Sequence, residues 1–351
     1  MVRKLFLFTS GGMMDPASRI RGYYVAKYLS ENGFDAEVFL YEGAKGNVVK
    51  KGLHLIGDFL NKIQAVMWSD KDSLVYIQRG TCSLSQLSFL FFLFSKFIFR
   101  KKVIYDIDDG LFLKERFVIN NFIRFSDHVI VGGHELFNYV KKYNERVFLV
   151  PTSADLNRYY PHNNVRKGNR VRLGFVGSPS TTPYMELLVK PIEELSRRYD
   201  LELRVISASS YAEYRPFNSF KKFEKNGVKV KLIPWNVDEE FYQLQNIDIG
   251  LAPLLNEEWE RYKCGFKVIN YMAAGIPPVA SNVAEHKYII QDGVNGFLCE
   301  NDRQWVEKLG KLIEDKRLRK KIGVNARRTV EEKYSLEKNA KTLAKILAKL
   351  L

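Results

Sequence analysis

Residues 247–280 read IDIGLAPLLNEEWERYKCGFKVINYMAAGIPPVA. Ile247–Leu251 and Pro278–Ala280 are short apolar runs, and between them a helical pattern stops at Gly275 and Pro277. Glycine at a helix end with proline just beyond it halts the helix. A strand, a loop, a helix and a second strand of this kind make a parallel crossover unit. The unit recurs in both directions. In the second half, Arg172–Val176, Leu203–Ile206 and Val228–Ile233 also read as strands. In the first half the strands are Lys4–Phe8, Ala36–Leu40, Leu74–Ile77, Val103–Tyr105, Val129–Val131 and Val147–Val150. Near-continuous Val, Ile and Leu strands alternating with helices belong to parallel sheets covered on both faces. The expected fold is α/β, two doubly wound Rossmann-like domains facing a central cleft. Pro151 to Asn169 is polar, carries Arg166 and Lys167, and reads as the linker. The expected domains are 1–160 and 161–351. The second closes with a helix over Glu337–Leu351, whose Ala340, Leu343, Leu347 and Leu350 share one face.

Lysine and arginine total 55 against 40 acidic residues over 351, a formal net charge of +15. Hydrophobic residues at 46% exclude a disordered chain, and the charge asks for an anionic partner. The basic residues are spread through both halves with no basic stripe carrying interleaved aromatics, so nucleic acid is not the expected partner. Cys82, Cys264 and Cys299 lie far apart and form no CxxC, which points to a reducing compartment without a zinc site. The opening MVRKLFLFTSGG has too short an apolar core for a signal peptide, so the expected location is the cytoplasm. Leu84 to Phe99 is very apolar, and Arg100, Lys101 and Lys102 follow it. It falls short of the ~20 residues of a spanning helix. It reads as a buried crossover helix or as a helix in the headgroup layer. Phe89 to Phe94 is apolar on every side, which favours the buried reading.

Ligands of open parallel sheets bind beyond the carboxyl ends of the strands. After the first strand stand Gly11 and Gly12, which let a ligand approach the backbone. Asp15 and Pro16 then open a helix. The spacing is not GxGxxG, which argues against a nicotinamide dinucleotide. Arg19 and Arg21 fall in the first helical turns, where the macrodipole disfavours cations unless an anion is bound. Arg79 follows the third strand, and Asp106, Asp108 and Asp109 follow the fourth. Such carboxylates bind a metal, cap a helix or orient sugar hydroxyls. Gly177-Ser178-Pro179 opens a hydroxyl-rich loop suited to a diphosphate. Trp235 either walls a base pocket or belongs to the core. Arg261, Lys263, Lys267 and Asn270 cluster around the helix before Gly275. Lys263, Lys267 and Asn270 share one face if that helix begins early enough.

Lys263-Cys264-Gly265-Phe266-Lys267, Tyr271-Met272-Ala273-Ala274-Gly275-Ile276-Pro277 and Asp292-Gly293-Val294-Asn295-Gly296-Phe297 resemble the retaining nucleotide-sugar glycosyltransferases of the GT-B architecture, family 4, or group 1. Ser18 to Arg21, Tyr105 to Asp109 and Gly174 to Ser178 add to the likeness, which runs over nearly the whole chain. The resemblance implies an acceptor held by the N-terminal domain and a UDP- or GDP-linked sugar held by the C-terminal one. It implies metal-independent transfer with retention, in which cations and helix N-termini stabilise the leaving diphosphate. Gly177, Ser178, Arg261, Lys263, Lys267 and Asn270 are then donor-binding. Asp108 and Asp109 are catalytic. Gly11, Gly12, Arg19 and Arg79 bind acceptor or phosphate.

Three features depart from the family pattern. Its two glutamates eight residues apart align with Tyr262 and Asn270. Ser178 and Pro179 stand at its phosphate-binding arginine, and Asp108 replaces its histidine. The expected function is transfer of a sugar to a cell-surface glycan or lipid-linked acceptor, with peripheral contact at an anionic membrane face. The alternative is an inactive protein that still binds the sugar nucleotide.

Overall fold

The computed structural model describes residues 3–43, 47–161, 169–207 and 219–350. The chain divides into two units. One comprises Met1–Ser153, Arg261–Cys264 and Leu336–Leu351, the other Ala154–Glu260 and Gly265–Ser335. Arg166 and Lys167 of the expected linker lie outside the described residues.

The first unit is built on β1 (Arg3–Thr9), β2 (Phe34–Phe39), β3 (Leu74–Gln78), β4 (Lys102–Ile107), β5 (His128–Val131) and β6 (Val147–Leu149). They pair in parallel in the order β2-β1-β3-β4-β5-β6, with Leu5 opposite Leu74 and Ile77 opposite Tyr105. Strand side chains alternate between the two faces of a sheet. Phe6 and Phe8 accordingly enter one core, and Leu5 and Leu7 the other. The Phe face is covered by α2 (Val48–Met67), α3 (Ser85–Leu93), α4 (Arg116–Phe125) and α5 (His134–Val140). The Leu face is covered by α1 (Tyr24–Glu31) together with Leu343, Ile346 and Leu347 from residues 336–348. The sequence range 161–351 had grouped this last helix with the second unit. It packs on the first because Leu5, Leu7, Leu74 and Tyr76 otherwise have only α1 above them.

In the second unit β7 (Val171–Val176), β8 (Leu201–Ser207), β9 (Lys229–Pro234), β10 (Ile249–Ala252), β11 (Pro278–Ser281) and β12 (Phe297–Cys299) lie in the order β12-β11-β10-β7-β8-β9, again parallel. The edge strand β12 has three residues, too few to show a period in sequence. The helices are α6 (Val189–Ser196), α7 (Ser219–Lys225), α8 (Glu240–Leu244), α9 (Phe266–Ala273), α10 (His286–Ile289), α11 (Asp302–Glu314) and α12 (Lys316–Thr329). The last helix, α13 (Leu336–Ala348), belongs to the first unit. Tyr271 of α9 lies flat beneath the sheet. A Cβ on Gly250 would stand 2.4 Å from its ring, so only glycine admits it. Its hydroxyl accepts from the Val176 amide at 2.9 Å and faces the Gly174 and Leu251 carbonyls at 3.0 and 3.2 Å.

The apolar stretch Leu84 to Phe99 forms α3 and a π-helical turn, Phe94–Ile98. Phe91 and Phe92 are fully buried, as a crossover helix requires. Lys101 does not join a lipid-facing cluster with Arg100 and Lys102. Its ammonium is buried and donates to the carbonyls of Ser69 and Asp70 and to the Ser73 hydroxyl, at 2.9, 2.6 and 3.1 Å. Among the described residues no helix is long and apolar enough to cross a membrane.

Truncating Leu347, which is fully buried, removes the contact that seals the Leu face. Leu347→Ala should destabilise the first unit by about 2–5 kcal/mol, read as a lower urea midpoint with an unchanged m-value. A midpoint at the native position would mean that α13 is not part of that core.

Candidate functional site

The first sheet reverses direction between β1 and β3, and the ends of β1, β3 and β4 carry the polar residues. Beneath them lies a buried ion pair. Arg21 donates from Nε and Nη2 to the two oxygens of Asp106 at 2.8 and 2.7 Å, and Tyr76 donates its hydroxyl to the same carboxylate. Nη1 of Arg21 reaches the Val150 carbonyl at 2.9 Å. Burial pushes the Asp106 carboxyl up and the Arg21 charge pulls it back. Two aligned hydrogen bonds make the ionised pair the form this geometry fits. Arg21 and Asp106 are thereby structural, and the anion that Arg21 meets in the first helical turns is a carboxylate of the chain itself.

Asp108 and Asp109 stand above this pair, and Arg79 joins them. Its Nε donates to Asp108 at 2.5 Å and its Nη2 to Asp109. Arg79 has φ +61°, a left-handed backbone that non-glycine residues seldom adopt. Its amide donates to the Asp106 carbonyl at 2.9 Å, and Tyr105 donates to its carbonyl at 3.2 Å. These bonds hold the backbone so that the guanidinium meets both carboxylates. Burial raises the Asp109 carboxyl, while Arg79 and Lys263 oppose the shift. Expected to bind acceptor or phosphate, Arg79 is engaged with the two carboxylates.

At the end of β1, Asp15 caps the first helical turn by accepting from the Ser18 amide at 2.7 Å. Gly11 donates its amide to Ser18 Oγ at 3.1 Å. A Cβ on Gly12 would stand 2.2 Å from Glu42 Oε2, and Glu42 also accepts from the Met13 amide at 3.2 Å. A carboxylate of the chain itself therefore lies against the glycine pair. Arg19 is buried and donates to the Met13 carbonyl at 2.8 Å.

The helix bearing the basic cluster begins later than the sequence suggested. Gly265 has φ +68° and sits before Phe266, so α9 starts there. Lys267 and Asn270 share a face of α9, but Lys263 lies outside it. Arg261 to Cys264 belong to the first unit, where Tyr262 packs edge-on against Phe112 with ring centroids 4.8 Å apart. A glutamate in that aromatic cluster would lose solvation without gaining a partner ring, which accounts for tyrosine at this position.

In the second unit, Lys267 reaches the end of β7. Its Nζ lies 3.7 Å from the Phe175 ring centroid and would be 3.1 Å from a Cβ on Gly177. Ser178 follows and pairs its hydroxyl with Ser180 at 2.8 Å. Gly177, Ser178 and Lys267 thus meet at the point where this sheet reverses, between β7 and β10. One turn further along α9, Asn270 is buried and donates to Glu240 at 3.4 Å. Its Oδ1 has no hydrogen-bond partner among the described residues. Trp235 packs partly buried against the second unit's core.

Sequence reasoning missed Glu240 and His286. Both are buried singletons on short helices, with no spacing to mark them. His286 Nδ1 lies 3.1 Å from the Ser281 carbonyl, which can only accept, so the proton sits on Nδ1. Burial, with the Lys267 charge adding to it, lowers this imidazole to about 4 from an ordinary 6.5.

Residues 170–315 match the family described as glycosyl transferases group 1. The spore coat protein SA of Bacillus subtilis is 30% identical over 81 residues, a match spanning 22% of this chain and 22% of that protein. Sucrose-phosphate synthase from Thermosynechococcus elongatus has a similar structure, with a TM-score of 0.78 at 14% identity over 99% of both chains. HepE from Anabaena, solved with UDP, has a TM-score of 0.72 at 16% identity over 99% of this chain and 100% of its own. The shared fold is that of the GT-B glycosyltransferases, as the sequence led one to expect.

Neutral buried His286 links stability to pH. The unfolded chain takes up this proton near pH 6.5 and the folded unit near 4, so stability is full above 6.5 and falls as the pH drops towards 4. The loss is about 3 kcal/mol. His286→Gln should flatten that part of the stability profile in urea titrations taken across the same range. An unchanged slope would mean that the histidine is not held neutral.

Proposed function

We propose that this chain, whose residues 170–315 match the glycosyl transferases of group 1, is a transferase that moves a sugar from a nucleotide donor to a cell-surface glycan or a lipid-linked acceptor. The observation that carries this reading is the meeting of Lys267 with Gly177 and Ser178 at the end of β7. A half-buried ammonium beside a hydroxyl loop and a free strand end is suited to a diphosphate. Asn270 offers a buried acceptor to the ribose hydroxyls. The UDP carried by the similar HepE supports uridine as the base.

Transfer proceeds with retention and needs no metal, because Lys267 supplies positive charge at the leaving group. The bond from the anomeric carbon to the diphosphate oxygen breaks as the acceptor oxygen bonds to the same face of that carbon. The acceptor proton passes to the leaving phosphate. Asp108 and Asp109 orient the sugar and acceptor hydroxyls, with Arg79 holding both carboxylates in place. Gly11, Gly12 and Arg19 serve the acceptor side. The enzyme works in the cytoplasm, in contact with the inner face of the membrane where a lipid-linked acceptor resides. A second reading, nucleotide binding without turnover, is favoured by Tyr262 in its aromatic cluster and by Asn270 in place of a carboxylate.

Thermal unfolding with UDP, GDP and ADP tests the donor site, without and with magnesium. UDP should stabilise selectively, by about 2.7 kcal/mol at a hundred times its Kd, and Lys267→Ala should remove the effect. Asp109→Asn should keep the UDP shift while slowing sugar transfer by about 10²-fold or more. Stabilisation without transfer or donor hydrolysis would select the binding-only reading. No response to any nucleotide would remove the donor assignment altogether.

A further inference from the structure

α2 carries an apolar stripe that faces away from the protein. Val49, Leu53, Ile56 and Leu60 are 56–68% exposed, and Met67 continues the line at its far end. At 100° per residue, Val49, Leu53, Ile56, Leu60 and Met67 fall within roughly 60° of one another. The core contact of α2 lies elsewhere on its circumference, at the buried Lys62 and Val66. The helix has 20 residues, so the stripe is about 30 Å long. A lone exposed leucine needs no account, whereas a continuous aliphatic line marks a contact surface.

The charge around the stripe says what covers it. Lys50 and Lys51 stand on the first turn of α2, and both are exposed. They are cations at the positive end of a helix dipole, an arrangement that an external anion relieves. The one carboxylate on the helix, Asp58, is taken by Lys62 at 2.7 Å. α3 and α4 cover the same face of the sheet; the π-helical turn after α3 adds exposed Phe97 and Ile98, α4 adds exposed Phe117, and exposed Arg100 and Lys102 follow the turn in the chain. An aliphatic line with Lys50 roughly 60° to one side and Lys51 on the opposite, polar face is the pattern of a helix lying in the headgroup layer of an anionic bilayer. A second copy of this chain would bring another net charge of +15 to the same place.

We propose that α2 is the membrane-docking element, lying flat with Val49, Leu53, Ile56 and Leu60 among the acyl chains and Lys50 and Lys51 on anionic phospholipid headgroups. This rests on the membrane-contact part of the proposed function and moves it from α3, whose phenylalanines are in the core. Vesicle flotation tests it, using phosphatidylcholine with and without phosphatidylglycerol. The native chain should float only with phosphatidylglycerol. Leu53→Ser/Ile56→Ser/Leu60→Ser should lower the bound fraction by about tenfold or more with an unchanged melting temperature. Lys50→Glu/Lys51→Glu should have a similar effect at low salt, because screening weakens the native contact at high salt. The UDP shift is measured on the same samples. If it is absent while flotation holds, the donor reading fails and the docking surface stands. Native-like flotation of both variants overturns the proposal. So does a native dimer, seen by sedimentation, that the triple serine variant abolishes.

Discussion

Arg21 and Asp106 are buried together at the carboxyl end of the first sheet, and much of that unit is arranged around their pairing. Taking two charges out of water is unfavourable unless each finds its partner and its remaining hydrogen bonds. Here both carboxylate oxygens receive the guanidinium, Tyr76 adds its hydroxyl, and the Val150 carbonyl takes a third nitrogen. The contacts come from the first helical turn, β3, β4 and the end of β6. Removing either charge would strand the other, at about 3–5 kcal/mol. The pair therefore ties together the strand ends from which the glycine loop, Arg79 and the paired aspartates emerge.

Above that pair the backbone takes up strain. The left-handed Arg79 is held by bonds to its own amide and carbonyl, and it delivers one guanidinium to two neighbouring carboxylates. The left-handed Gly265 sets where α9 begins and so which residues share its face. Both are single backbone choices with consequences several residues away. They turn a run of charged residues into defined groups: Arg79 with Asp108 and Asp109 in one unit, Lys267 with Gly177 in the other. Non-glycine residues in such conformations gather where surrounding contacts over-determine them.

The two most apolar helices of the first unit have opposite fates. α3 looks like the membrane helix in sequence, yet Phe91 and Phe92 fill the space between sheet and α4, with Phe92 5.0 Å from Phe122. α2 looks like an ordinary amphipathic crossover, yet most of its aliphatic side chains miss the sheet. Only its last turns carry fully buried residues. Hydrophobicity along the chain measures how much a helix would gain from leaving water. Which surface receives it depends on the space left by its neighbours.

The sequence by itself made eleven of the twelve described strands legible (all but the short β12), with their parallel pairing and the two-unit plan, because period and composition report directly on burial of each short segment. Its motifs also located the residues around Gly177, Lys267 and Asp108, since strand ends are readable from where apolar runs stop. Tertiary structure alone decided that Lys101 is an internal donor, that Arg79 clamps carboxylates, that Tyr262 is an aromatic packing residue and that α13 covers the first sheet. It alone brought out Glu240, His286 and the outward stripe of α2. These depend on which distant segments the fold brings alongside or leaves away from each residue, and the period of a short segment does not report that.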